Sequence, residues 1–177
     1  SFGERTGKKG VMISAVDLLK GIAVGADMDR ILVEGANGGL HTNYEGKAGA
    51  AVEALTKGGY DFAYIHVEAP DEMGHQGRIE DKITAIEYVD EKILGGVLDG
   101  LRKAGEDFRI LLLPDHPTPI EARTHTGEPV PYLLYDSTRD SQGAAVYSEE
   151  TAAQTGRKWQ DGYLLIGHLL EEVNPEE

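Results

Sequence analysis

Apolar residues recur at spacings of three and four along 79–103, where Ile79, Ile83, Ile86, Val89, Ile93, Val97 and Leu101 form one stripe. That period is helical and predicts a long amphipathic helix whose stripe packs on a sheet. Shorter apolar runs at 10–15, 31–34, 60–68, 108–113 and 130–136 read as strands, the fourth of them as a central strand covered on both faces. Three further segments are predicted helical: 16–25, with Leu18, Leu19 and Ile22 on one face, the Ala-rich 47–57, and 162–173. Gly35, Gly38, Gly39 and Gly46 mark 35–46 as a loop. Strands alternating with helices at this spacing give an α/β layered fold with a largely parallel sheet. With no internal repeat or linker, the 177 residues suffice for one domain around a single core.

Charge narrows the function classes. Thirty-one acidic residues against 17 basic ones give a net charge of −14, which repels a polyphosphate backbone and argues against nucleic-acid binding. A small anionic substrate is compatible with that balance if a cation cluster supplies local positive charge. No apolar run approaches the ~20 residues needed to span a bilayer, and the expectation is a cytoplasmic protein without membrane contact. The chain has no cysteine, so a metal would be held by His, Asp and Glu alone.

Polar clusters follow the predicted strands, where open α/β sheets bind ligands. The first, His66-Val-Glu-Ala-Pro-Asp71-Glu-Met-Gly-His75, places Asp71 and His75 four residues apart. On a helical turn that spacing puts both on one face, able to chelate one ion, although a capping Asp71 beside a solvated His75 would read the same. The second is Asp115-His116, directly after the run 108–113 and stiffened by Pro114, Pro117 and Pro119. The third, Arg123-Thr-His125-Thr, adds another imidazole. Together they offer a mixed oxygen and nitrogen donor set of the kind that suits Mn²⁺, Zn²⁺ or a related divalent ion.

With these motifs in view the chain resembles a known family, the cofactor-independent phosphoglycerate mutases, in particular their archaeal-type branch. The resemblance rests on VMISAVDLLKGIA (11–23), HTNYEGKA (41–48), HVEAPDEMGHQG (66–77), LPDHPTP (113–119) and THTGEPVP (124–131). The DxxxH, DH and HTxxPVP elements occur in this order across the wider alkaline-phosphatase-like superfamily. The resemblance implies a three-layer α/β/α fold with a mainly parallel sheet, of which residues 1–177 form the C-terminal portion of the catalytic domain. It also implies two divalent metal ions, usually manganese, with zinc, cobalt or magnesium as alternatives, and no bisphosphoglycerate cofactor. Asp71, His75 and His125 match the ligands of one ion, and Asp115 and His116 match ligands of the other.

In the family, a further Asp and a nucleophilic Ser belong to a preceding segment, and neither motif occurs here. Ser14 reads as a structural strand-end residue. The expected activity of the whole enzyme is interconversion of 2-phosphoglycerate and 3-phosphoglycerate through a phosphoserine, with this chain inactive by itself. The preceding segment is then its first partner and a small phosphorylated acid its substrate. A related phosphotransferase or phosphohydrolase, including a homoserine-kinase-like member, is the alternative enzyme, and a non-catalytic metal-binding fragment the alternative of another class. Lys47 is the candidate substrate-side and catalytic cation, unless it is an ordinary exposed lysine at a helix start. His41 and Arg123 are further substrate-binding candidates. His66 reads as a structural strand-end residue and His168 as surface or packing. An exposed sheet edge is expected to promote self-association.

Overall fold

A computed structural model describes residues 1–139 and 143–170. The chain forms two compact units, one of residues 1–106 with 118–124, the other of residues 107–117 with those from 125 onward.

In the first unit, α1 (Phe2–Thr6) opens with a capping box between Ser1 and Glu4 and leads into β1 (Gly10–Ile13). There follow α2 (Asp17–Gly25), β2 (Asp29–Ile31), α3 (Tyr44–Thr56), β3 (Phe62–Ile65) and α4 (Ala69–His75). The helical run then continues as α5 (Ile79–Tyr88), a π-helical segment (Val89–Leu94) and α6 (Gly95–Ala104). The strands form one parallel sheet in the order β2-β1-β3, with Val11 opposite Asp29 on one side and Ala63 on the other. β1 is buried throughout, as a strand covered on both faces must be. α3 packs on β1, β3 and α6. Small residues allow a close approach there: Ala48, Ala51 and Ala54 are buried, and Gly96 and Gly100 of α6 lie against Ala48 and Val52.

The second unit contains β4 (Arg109–Leu112) paired antiparallel with β5 (Leu133–Asp136), with Arg109 opposite Asp136. Its helices are α7 (Glu149–Gln154), α8 (Leu165–Leu170) and a 3₁₀ turn at Gly162–Leu164.

Several element readings shift. The second strand lies at Asp29–Ile31 rather than 31–34, because its apolar neighbours Leu32 and Val33 fall beyond the pairing register. The helix of residues 79–103 is interrupted by the π segment, and only the stripe from Ile93 through Val97 to Leu101 is buried. Ile79, Ile83 and Ile86 are exposed, as are Leu18 and Ile22 of α2, where Ala23 takes the inward position. The run 108–113 forms an antiparallel pair with half-buried residues instead of a central parallel strand. The last predicted helix is shorter at its start, and its final residues, 171–173, lie outside the described residues.

Candidate metal centre

The link from β3 to α4 delivers the first pair of candidate ligands. α4 begins with Pro70 in its first turn, where the missing N–H is of no consequence, and acidic residues Asp71 and Glu72 suit the positive end of the helix. Asp71 and His75 lie one turn apart, with His75 Nε2 3.4 Å from Asp71 Oδ2. The expected shared face is therefore present.

What surrounds this pair orients it. His75 Nδ1 is 3.0 Å from the carbonyl oxygen of Arg123, which can only accept, so Nδ1 carries the proton. In the neutral ring the Nε2 lone pair then faces a carboxylate oxygen. A ligating His bonded to a carbonyl through its other nitrogen is the usual arrangement at metals. On the opposite side of the carboxylate, Asp71 Oδ1 accepts a hydrogen bond from the Thr118 hydroxyl. Thr118 is buried, and its carbonyl accepts from Lys82 Nζ at 2.6 Å. Arg123 adopts a left-handed backbone with φ 53°, uncommon for a residue with a side chain, and its guanidinium lies against Gly77, itself at φ 68°.

The second unit holds Asp115, His116 and His125. His116 N–H donates to Asp115 Oδ1 at 3.1 Å, and its Nε2 lies 3.4 Å from Asp115 Oδ2. The rings of His116 and His125 stack with centroids 3.6 Å apart. The turn that brings them together is closed by Thr126 N–H donating to Pro117 O at 3.2 Å. Asp115 and His116 thus share one loop, and the His125 ring is brought against His116 from another.

His41 lines a cleft of about 390 Å³ in the first unit, together with Gly38, Gly39, Glu68, Glu72 and Arg78. Burial, followed by the neighbouring charges of Asp71 and Glu72, pushes the Glu68 carboxyl above the ordinary range. Lys47 is almost fully buried and donates from Nζ to His66 O at 3.1 Å, so it is not an exposed helix-start lysine. His66 Nδ1 lies 3.2 Å from Ser14 Oγ, which also accepts from Val16 N–H. His168 packs against Trp159 with ring centroids 4.5 Å apart. Sequence reasoning missed Thr118 and Lys82. Thr118 sits in the LPDHPTP motif between two prolines, a rigid setting that was the available signal.

Residues 1–158 match the Metalloenzyme superfamily. The chain belongs to the Metalloenzyme superfamily. Among relatives of this superfamily member, a probable 2,3-bisphosphoglycerate-independent phosphoglycerate mutase of Geobacter sulfurreducens is 48% identical over 172 residues, 97% of this chain and 42% of that protein. The 2,3-bisphosphoglycerate-independent phosphoglycerate mutase of Methanosarcina barkeri is 51% identical over 171 residues, 96% of this chain and 42% of that protein. The solved structure of the PH0037 protein from Pyrococcus horikoshii superposes with a TM-score of 0.78 at 33% identity, covering 87% of this chain and 45% of that one. The chain therefore spans less than half the length of these relatives. The alkaline-phosphatase-like α/β class expected of a metalloenzyme holds, with its parallel sheet and flanking helices. Among the described residues, no helix is long and apolar enough to cross a membrane.

Proposed function

We propose that this chain is the metal-binding part of a 2,3-bisphosphoglycerate-independent phosphoglycerate mutase, interconverting 2-phosphoglycerate and 3-phosphoglycerate. The observation that carries the reading is the 48–51% identity to proteins of that name over nearly the whole chain. In this reading Asp71, His75 and His125 hold one divalent ion, as their one carboxylate and two imidazoles suit. Asp115 and His116 contribute to a second. Manganese is the metal proposed. When bound, such ions act as Lewis acids that neutralise the oxygens of a transferring phosphoryl group.

The chain's own residues then have distinct tasks. The Arg123 carbonyl keeps the His75 proton on Nδ1, so that Nε2 can ligate, and Thr118 fixes the rotation of the Asp71 carboxylate. His41 and the Arg123 guanidinium are the proposed contacts to the phosphorylated acid. The nucleophile and the rest of the substrate site come from a further segment of the enzyme, which works in the cytoplasm. The exposed Leu18, Ile22 and Leu32 give this chain apolar surface through which it self-associates when studied alone.

A chimera tests this. The segment of the Geobacter sulfurreducens protein that aligns with this chain is replaced by it, and conversion of 3-phosphoglycerate is followed with Mn²⁺ present. The expected result is turnover that Asp71→Ala abolishes. A folded, Mn²⁺-binding chimera without mutase activity would overturn the reading.

A further inference from the structure

Lys47 lies one turn into α3, and its side chain is inside the protein, the residue being 1% exposed. A cation there opposes the positive end of the helix and loses its hydration, both unfavourable. Burial accordingly pushes the Lys47 ammonium below the ordinary lysine range, against which the Glu68 carboxylate acts. Its contacts must offset that penalty, and they are concentrated on one short stretch. Nζ donates to His66 O at 3.1 Å, and the opposing charge is that of Glu68. Residues 66–68 are the joint between β3 and α4.

The helix side of this joint is also constrained. Glu68 O accepts the N–H groups of Asp71 at 2.9 Å and Glu72 at 3.1 Å, the first hydrogen bonds of α4. The Glu68 carboxylate lies against Gly38, where any side chain would collide with it. Movement at His66 or Glu68 would therefore pass directly into α4, from which Asp71 and His75 project.

We propose that Lys47 is a positioning residue whose internal ammonium pins the β3–α4 joint and so sets the direction in which Asp71 and His75 leave α4. It acts through the backbone and does not touch substrate. This rests on the reading of Asp71 and His75 as ligands of a divalent cation.

The test is titration of the full chain with Mn²⁺ by calorimetry, comparing the unaltered protein, Lys47→Met and Asp71→Asn, with circular dichroism to verify folding. Lys47→Met is expected to bind Mn²⁺ about tenfold or more weakly, the range seen when a group supporting a ligand is lost. The zero-field splitting of bound Mn²⁺ in electron paramagnetic resonance should change with it, which loosening of packing elsewhere would not produce. Because the chain has no cysteine, Lys47→Cys can be aminoethylated in denaturant at that one position, and the restored ammonium should recover affinity and spectrum after refolding. Carbamidomethylation, which restores no charge, should not. Unchanged affinity and spectrum in Lys47→Met, with weaker binding by Asp71→Asn, would overturn the positioning role and leave the metal reading standing. Binding that Asp71→Asn leaves unchanged would overturn both. Should Lys47→Met not fold, Lys47→Gln keeps an N–H for the His66 carbonyl without the charge, and unchanged Mn²⁺ affinity there would overturn the proposal equally.

Discussion

The Thr118 hydroxyl donates to the Asp71 carboxylate, tying a buried side chain in a proline-rich turn to a ligand-type residue on α4. A carboxylate held at one oxygen presents the other in a fixed direction, which lowers the entropy lost when it binds a cation. Thr118→Val keeps the shape and removes the donor. It should weaken Mn²⁺ binding by roughly 10- to 100-fold while the fold is retained, as loss of such outer partners does at known metal sites. Calorimetry checks this, and an affinity equal to that of the unaltered chain would show that Asp71 is oriented by other means.

Gly74 approaches the same turn too closely for a side chain. A Cβ there would fall 2.5 Å from Thr118 O and 2.9 Å from Lys82 Nζ, the two atoms that are hydrogen-bonded to each other. Alanine normally favours a helix over glycine by ~1 kcal/mol. Here it should instead destabilise by about 1–3 kcal/mol, the usual range for overpacking, and weaken Mn²⁺ binding as Thr118 is displaced. Urea melts of Gly74→Ala that match or exceed the unaltered protein would contradict this.

The strand β1 and the helix α3 were legible because burial of β1 on two faces leaves a continuous apolar run and the close packing of α3 selects Ala-rich sequence, while β3 was legible from its short apolar run although Tyr64 on it is exposed. The ligand-type residues were legible because Asp71 with His75, and Asp115 with His116, lie close in sequence. Thr118, Lys82 and the Arg123 carbonyl were not, because each acts on a residue dozens of positions away and a backbone carbonyl leaves no trace in side-chain chemistry. The stripe from Ile79 to Leu101 misled in its first half. Periodicity reports that a face is apolar, and Ile79, Ile83 and Ile86 are exposed nonetheless. For Lys47 the structure removes only the alternative of an ordinary exposed lysine at a helix start, because its burial depends on where β3 ends, which the sequence does not show.

The contact between α3 and α6 gives a paired prediction. A Cβ on Gly100 would lie 2.6 Å from a Val52 methyl, and valine has little rotamer freedom in a helix to move aside. Gly49, inside α3, has nothing within 4 Å of the same position. Gly100→Ala should therefore destabilise by roughly 1–3 kcal/mol. Gly49→Ala should stabilise by about 0.5–1 kcal/mol through helix preference alone. Denaturant melts giving both variants the same sign would show that the two helices are not held at this distance.

The last prediction concerns acid. Arg109 on β4 and Asp136 on β5 are cross-strand partners, and Arg109 Nε donates to Asp136 Oδ2 at 2.8 Å. The other carboxylate oxygen accepts from the Thr138 N–H at 2.9 Å and the Thr138 hydroxyl at 2.6 Å. The Arg109 guanidinium first, and the Thr138 hydroxyl after it, hold the Asp136 carboxyl down to about 2. The unfolded chain returns it to about 3.9, so below that value the unfolded state binds the proton more readily than the folded one. The stabilisation from this group is therefore complete above about pH 4 to 5 and is lost as pH falls toward about 2. Asp136→Asn removes the charge at every pH. At neutral pH it should destabilise by about 1–3 kcal/mol, the range for an unpaired, charge-assisted hydrogen bond. Toward pH 2 the melting curves of variant and unaltered chain should converge, because protonation has already neutralised Asp136 in the latter. Urea melts across this range measure the gap directly, and a gap that stays constant with pH would mean the effect comes from packing of the amide rather than from the ion pair.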